Sequence, residues 1–279
     1  LHDLSYRGGF PYRLVITTHP QIENVSPKVV RAGQPVELTV WGRNLGAHAK
    51  PTNQTLMDLR LDEYRYTVDV PSDIASGGSY RFIEHPTDHS VLPTAATCTL
   101  MGFQVRPDLP NAVNAQTLMV TDCPVSLEVE PNDTQDVSQA IALPVVLSGR
   151  FDQERDADWF ELEVPQNGQY AVDVFCERIN GRADPYIVFV DDQGKRVVDI
   201  DDYGHRTNAF DGHLRDPSGM ASLQAGKKYK VLVQDRYGRG GPRYQYVLSI
   251  REPVPDFYVA AIHRANPGPE GTNVWQGGA

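Results

Sequence analysis

The sequence lacks long apolar runs, since no stretch approaches the roughly 18 to 20 consecutive apolar residues that a membrane-spanning helix needs. Positive charge is also in short supply, because 26 lysines and arginines stand against 36 aspartates and glutamates, a net charge of −10. A chain without a basic excess is poorly suited to bind nucleic acid or to insert at an anionic membrane surface. Divalent cations are the ligands that this charge favours.

Cysteine is scarce as well, with three residues in 279. Cys98, Cys123 and Cys176 form neither a CxxC pair nor an even-numbered disulfide framework, which argues against a cysteine-based metal site. Two interpretations of these residues stay open. Either Cys98 and Cys123 form a disulfide in an oxidising compartment, or all three are buried thiols.

The common catalytic motifs are missing: the sequence has no GxSxG, no HExxH, no glycine-rich phosphate loop and no cysteine beside a plausible histidine. His85 and His89 are four residues apart, but Pro86 would break a helix between them and no third ligand accompanies them. We therefore expect the chain not to be an enzyme.

Glycine and proline are plentiful, at 23 and 21 residues, and they separate short segments that are rich in β-branched and aromatic residues. This pattern predicts an all-β fold of two antiparallel β-sandwich domains. Residues 134–142 alone suit a short helix, and residues 46–58 are interpreted as an extended loop. A change of composition at residues 123–129 indicates a domain boundary. The predicted strands are residues 12–16, 36–40, 116–120, 159–164, 170–174, 186–190, 229–233 and 244–250.

Residues 128–250 carry a series of short motifs along their whole length. They are EVEPNDT at 128–134, GRF at 149–151, DADWF at 156–160, ADPY at 183–186, DD at 201–202, GKKY at 226–229 and VLVQD at 231–235. Together these motifs resemble the bacterial pre-peptidase C-terminal (PPC) domain, a secreted jelly-roll-like β-sandwich related to the collagen-binding domains of clostridial collagenases. RGGP at 239–242, followed by YQY, resembles the variant found in tandem in large extracellular repeat proteins of planctomycete-like bacteria.

A second resemblance precedes the first along the chain. Residues 22–27 read IENVSP and residues 32–45 read AGQPVELTVWGRNL, which resembles the start of an IPT/TIG immunoglobulin-like domain. Beyond Leu45 the later strands rest on alternation alone. The resemblances imply four segments. These are residues 1–17, the terminal hairpin of a preceding PPC-like repeat; 18–123, an IPT/TIG Ig-like domain; 124–253, a PPC domain; and 254–279, the start of a further module or a tail.

The hairpin assignment rests on an internal repeat. Residues 3–16 (DLSYRGGFPYRLVI) echo residues 235–250 (DRYGRGGPRYQYVLSI), each with an aspartate, then Arg-Gly-Gly, then a strand that opens with an aromatic residue. Chance similarity between two glycine-rich hairpins is the alternative. A hairpin without a sheet of its own needs a partner, so we expect strand addition to the Ig-like domain or to a neighbouring chain or repeat.

The acidic run at residues 128–133 is the main candidate site. Glu128, Glu130 and Asn132 alternate along an extended segment, Asp133 follows, and Ca²⁺ takes six to eight oxygen ligands in flexible geometry. In the clostridial relatives such a run and downstream aspartates coordinate calcium. The resemblance therefore implies a Ca²⁺ site formed by Glu128, Glu130, Asn132, Asp133, Asp156 and Asp158. Whether Asp156 or Asp158 is the direct ligand stays open, and a solvated acidic turn is the alternative.

Two further groups receive simpler interpretations. DIDDYG at 199–204 is not an EF-hand, because Tyr203 and Phe210 stand where oxygen ligands are required; Asp201, Asp202, Asn208 and Asp211 are interpreted as turn residues. Tyr244 and Tyr246 share one face of a predicted strand, close to Tyr237, and that face is either a binding surface or part of the core. Collagen binding is not carried over from the relatives, because glycines and Arg239 replace their tyrosine-rich pattern.

These observations predict a non-catalytic structural or adhesive module of a large secreted, periplasmic or cell-surface bacterial protein. The chain begins without methionine or a signal-like pattern, so we expect a piece of a longer protein. The alternative is an accessory polymer-targeting region of a secreted hydrolase or peptidase. The expected partners are other chains or repeats of the same protein, with an extracellular polymer as a further candidate, and neither nucleic acid nor a membrane.

Overall fold

The structure is a computed structural model and describes residues 16–70, 72, 83–84, 91–92, 101–105, 109, 111–114, 116–179, 181–202 and 216–253. Within these ranges the chain is nearly all β, as the short alternating segments predict. The helices here are two 3-10 turns, Gln135–Val137 and Glu177–Ile179, and no helix among the described residues is long and apolar enough to cross a membrane. The predictions for Cys98, the histidine pair, residues 3–15 and residues 254–279 lie outside these ranges.

Nineteen strands are described. They are β1 Gln21–Ser26, β2 Val29–Arg31, β3 Pro35–Arg43, β4 Lys50–Leu56, β5 Leu59–Asp69, β6 Ile83–Glu84, β7 Val91–Leu92, β8 Met101–Val105, β9 Gln116–Thr121, β10 Val125–Leu127, β11 Gln139–Ala142, β12 Val145–Arg150, β13 Ala157–Glu163, β14 Gly168–Phe175, β15 Pro185–Asp191, β16 Arg196–Ile200, β17 Ser218–Leu223, β18 Tyr229–Asp235 and β19 Gln245–Arg251. A separate pair joins β6 and β7.

Sheets β1-β3-β5-β4 and β2-β9-β8 form the first sandwich, which spans residues 21–121. Ile22 and Val25 of β1, Leu38 of β3 and Leu118 of β9 lie in one buried cluster, so both sheets contribute to a common core. The order β1-β3-β5-β4 comes from antiparallel pairing throughout, whereas the edge strand β2 pairs parallel with β9.

Sheets β10-β12-β19-β14-β17 and β11-β13-β18-β15-β16 form the second sandwich, which spans residues 125–251. Every second residue of a strand points to the same face of the sheet, so the burial pattern identifies the inner face. Along β13, Asp158, Phe160 and Leu162 are buried, while the residues between them are half-buried. Most neighbours pair antiparallel, but the edge strands β10 and β11 pair parallel with β12 and β13. One buried cluster draws on both sheets and fills the sandwich.

Two local predictions were wrong. Residues 46–58 are not an extended loop, because Lys50–Leu56 forms β4 and pairs antiparallel with β5. Polar β4 side chains are compatible with an edge strand, and its hairpin turns at Met57 and Asp58, both at positive φ, where glycine and asparagine are the usual residues. Residues 134–142 hold a single 3-10 turn and then β11, since the apolar Ile141 is buried in the sheet.

The two sandwiches are joined by a buried contact that is mainly apolar. Val29 and Met119 of the first sandwich pack with Val146, Phe175, Ile179 and Val247 of the second, and all six are at most 1% exposed. The main-chain N–H of Lys28 donates to Ser148 Oγ at 2.9 Å across the contact. The sheet that carries β12, β14 and β19 is therefore buried on both faces, which explains why all seven residues of β19 are buried. We call this contact the joint.

Candidate metal centre

The acidic run leaves the edge strand β10 and passes along the end of the second sandwich. A main-chain hydrogen bond attaches it to β13, because the N–H of Trp159 donates to Asn132 O at 3.0 Å. Within the run, the N–H of Asn132 donates to the side-chain oxygen Glu130 Oε2 at 2.9 Å. The N–H of Arg150, the last residue of β12, donates to Glu128 Oε2 at 2.7 Å. The run is thereby tied to both sheets of the sandwich.

Three carboxylates meet at this point. One oxygen each from Glu128, Glu130 and Asp158 lies within 4.8 Å of the others. Asp158 belongs to the inner face of β13, so its carboxylate is fully buried, whereas Glu128 is half-buried and Glu130 is exposed. The exposure of the three carboxylates thus increases from Asp158 to Glu130, and this arrangement suits a cation that enters from the surface.

Tyr246 connects the two deepest carboxylates, and sequence reasoning did not place it in the site. Its hydroxyl lies 2.6 Å from Asp158 Oδ2 and 3.1 Å from Glu128 Oε1. The ring is fully buried and faces the core from β19, which answers the open question about the tyrosine face; Tyr237, by contrast, is 68% exposed. The residue that pairs with Tyr246 across the sheet is Gly149, where an added Cβ would lie 2.4 Å from Tyr246 Cζ.

The other three predicted residues border this group. Asn132 is fully buried and its Nδ2 donates to Glu128 Oε1 at 3.4 Å. Asp156, which is also buried, accepts from the N–H of Ala157 at 3.1 Å and from the N–H of Asp152. Asp133 shares a side-chain hydrogen bond with Asp156. All six predicted residues thus lie in one neighbourhood, with Asp158 inside the triad of close carboxylates and Asp156 beside it.

Burial dominates the electrostatics of the group. It raises the pKa of Glu128 to about 7 even though four hydrogen bonds favour the ionised form. Burial, reinforced by the nearby charge of Glu128, raises the pKa of Asp158 well above its usual range. Burial also raises the pKa of Asp156 to about 6, with the hydrogen bond to Asp133 acting in the same direction. Carboxylates in this arrangement require a proton or a cation for neutrality.

Two buried oxygens lack a hydrogen-bond partner in this group, Asn132 Oδ1 and Asp158 Oδ1. Buried polar atoms are rarely left unpaired, because an unmade hydrogen bond costs about 1–3 kcal/mol. Both are hard oxygen donors, one an amide and the other a carboxylate, and the triad beside them contains neither nitrogen nor sulfur ligands. The residues present therefore fit Ca²⁺.

A second acidic group lies on the same sandwich. Asp184, Asp201 and Asp202 bring one oxygen each within 4.8 Å, and Asp184 precedes β15 and is buried. Asp201 pairs with Arg236, so part of its charge is already neutralised. The sequence placed Asp201 and Asp202 in turns, and it had no reason to bring Asp184 to them; Asn208 and Asp211 lie outside the described residues.

Neither a protein-family model nor a curated protein matches the chain. Among solved structures, the chain is similar to the pre-peptidase C-terminal domain of a collagenase from Bacillus anthracis, with 16% identity, 44% of this chain and 100% of that chain covered, and a TM-score of 0.31. It is also similar to the secreted serine protease VesC from Vibrio cholerae, with 10% identity, 80% of this chain and 48% of that chain covered, and a TM-score of 0.27. A third similarity is to SGBP-B from a xyloglucan utilization locus of Bacteroides uniformis, with 10% identity, 83% of this chain and 72% of that chain covered, and a TM-score of 0.22. Similarities at this level assign neither a ligand nor a partner to the chain.

Proposed function

We propose that the chain is a non-catalytic structural or adhesive module of a secreted or cell-surface bacterial protein, and that its second sandwich is stabilised by Ca²⁺. The observation that carries the calcium proposal is the pair of buried, unpaired oxygens on Asn132 and Asp158 beside the carboxylate triad. Secretion and the structural role rest on the motif resemblances to PPC and IPT/TIG domains. The same resemblances support the division into residues 18–123 and 124–253.

The chemistry of the donor set supports calcium over other cations. The six side chains supply carboxylate and amide oxygens alone, whereas zinc sites are usually built from histidine and cysteine. Ca²⁺ accepts six to eight oxygens in irregular geometry, which tolerates ligands drawn both from the acidic run and from strand β13. When bound, the ion supplies the positive charge that the buried carboxylates otherwise obtain from protons, and it needs no catalytic role.

We expect added calcium to raise the melting temperature and EDTA to lower it, because an ion that binds only the folded state stabilises it by mass action. At a free concentration of about 100 times Kd the gain is about 2.7 kcal/mol. Differential scanning calorimetry of the full chain, with isothermal titration of CaCl₂ in parallel, measures both the change in melting temperature and Kd.

Two substitutions should abolish the calcium-dependent rise in melting temperature, each with a matched control. Asp158→Asn removes the most buried carboxyl group of the site, and Asp199→Asn is its exposed control. Gly149→Ala would place a methyl group against the Tyr246 ring, whereas an added Cβ at Gly168 meets nothing within 4 Å, so Gly168→Ala is its control. If neither calcium nor EDTA changes the melting temperature of the unmodified chain, the proposal is wrong.

The RGGP motif at residues 239–242 lies in the hairpin between β18 and β19. The contacts of this hairpin explain why the motif contains an arginine and two glycines. Asp235 accepts from the Arg239 guanidinium at 2.9 and 3.1 Å and from the Arg239 N–H at 2.8 Å. At Gly240 an added Cβ would lie 1.8 Å from Gln153 O, so no larger residue fits. Gly241 has a φ of +119°, which residues with a side chain rarely adopt.

The same residue types recur in sequence as Asp3, Arg7, Gly8 and Gly9, which supports the proposal that residues 3–16 belong to a sandwich of the second kind. Its partner would be a neighbouring chain or repeat that receives the hairpin by strand addition. We expect deletion of residues 1–17 to convert a self-associating protein into a monomer, as measured by light scattering after size exclusion. A full-length chain that is already monomeric at high concentration would contradict assembly.

A further inference from the structure

The proposed cation site opens onto a cleft between the two sandwiches. This cleft has a volume of about 180 Å³, and Glu128 and Glu130 form part of one wall. Trp41 of β3 and Lys28 form part of the other wall, on the first sandwich. The cation site therefore borders the joint rather than a free end of the molecule.

Arg150 contacts both walls of the cleft. Its main-chain N–H holds Glu128 Oε2 at 2.7 Å, and its side chain pairs with Asp152. The N–H of Asp152 in turn donates to a carboxylate oxygen of Asp156. Glu128 and Asp156, two carboxylates of the proposed site, thus accept hydrogen bonds from the two ends of the segment 150–152.

On the opposite side, the Arg150 guanidinium lies 5.0 Å from the centre of the Trp41 ring. A guanidinium over an indole face is a favourable cation–π contact, and the contact is stronger when it is partly shielded from water. The Arg150 side chain is shielded in this way, because it is only 20% exposed. The contact crosses from the second sandwich to the first. Its geometry depends on where residues 150–152 are held.

We propose that Arg150 couples the cation site to Trp41, so that a bound cation tightens the joint between the sandwiches. This inference rests on the proposed calcium site. Glu128, a ligand of the proposed cation, also accepts the hydrogen bond from the Arg150 N–H at 2.7 Å. With a cation the carboxylates are held together, and the segment that aims Arg150 at Trp41 is held with them.

Coupling between two sites is reciprocal, so removal of the Trp41 contact must weaken calcium binding although Trp41 is not a ligand. We expect Trp41→Leu, which changes no charge, to raise the calcium Kd by about five-fold, the lower end of usual coupling strengths. Isothermal titration of the full chain with CaCl₂ measures this effect. Arg236→Gln, which removes an arginine that pairs with Asp201 away from the joint, is the control and should leave Kd unchanged.

Fluorescence gives a second measurement. Trp159→Phe and Trp275→Phe leave Trp41 as the single tryptophan, and its emission should change on addition of calcium. With Arg150→Gln added, calcium should still bind but the emission should stay constant.

If calcium binds the unmodified chain while Trp41→Leu leaves Kd unchanged, the coupling alone is wrong. If calcium does not bind the unmodified chain, the cation site and the coupling both fall. Should Arg150→Gln fail to fold, Trp41→Leu and Trp41→Phe decide the outcome by titration.

Discussion

Replacement of Phe175 by alanine is expected to lower the free energy of unfolding by about 3–5 kcal/mol, the usual cost of removing a fully buried phenylalanine. Phe175 is the last residue of β14 and lies in the joint, where it packs with Met119 and Val29 of the first sandwich. Because this cluster belongs to both sandwiches, its loss should also separate their unfolding. The unmodified chain should unfold in one urea transition and the Phe175→Ala variant in two.

The matched control is Phe189→Ala. Phe189 is equally buried but lies in the inner core of the second sandwich, away from the joint. Phe189→Ala should lower the free energy of unfolding by a similar amount, but the variant should still unfold in a single urea transition. Two transitions in the unmodified chain, or a cost below about 1 kcal/mol for Phe175→Ala, would show that the joint is not a stabilising contact.

Lys28→Met is expected to stabilise the protein at pH 7 by about 2 kcal/mol. Lys28 is fully buried at the joint, and burial lowers the pKa of its amine to about 7 from a usual value of 10.5. Lowering a pKa by one corresponds to about 1.4 kcal/mol, so the folded state bears a cost of about 4 kcal/mol at pH 7. The variant loses the hydrogen bond from Nζ to Gln116 Oε1, at 3.0 Å, and leaving that oxygen unpaired costs about 1–3 kcal/mol.

The sign of the pH dependence follows from the same lowered pKa. Between pH 7 and 10.5 the unfolded chain binds more protons at Lys28 than the folded chain, so the stability of the unmodified protein rises with pH in this window. The advantage of Lys28→Met should therefore shrink from pH 7 to pH 10 in urea unfolding. Lys195→Met, at an exposed turn, should show no such trend. An advantage that is absent, or constant with pH, would contradict the assignment.

Much of the architecture could be predicted because strand formation is local. The alternation along β13 and β18 reflects one buried and one half-exposed face, and such a period is visible in the residues themselves. Edge strands escaped this reasoning. The strand β4 carries Thr52 and Gln54 rather than an apolar face, and its hairpin turns through Met57 and Asp58, so neither the strand nor its turn has the usual pattern.

The residues of the candidate site could be predicted from the sequence, but the tyrosine and the glycine that pack beside them could not. The acidic run and the two aspartates stand out by spacing and by resemblance, and the fold gathers all six residues in one neighbourhood. Nothing in the spacing pointed to Tyr246, which reaches Glu128 from 118 positions along the chain. The need for glycine at position 149 is likewise understood only once Tyr246 lies opposite it in the sheet.

The sequence by itself determined the all-β class, the positions of seven of the nineteen described strands and the identity of the acidic run, because each depends on neighbours along the chain. The tertiary structure decided which carboxylate is buried, which strands lie at sheet edges, and how β12, β14 and β19 are covered on both faces. It also decided that Lys28 and Arg150 meet the joint. These properties depend on contacts between residues far apart in sequence, and the free energy of burial that creates them is set by the whole fold rather than by any local pattern.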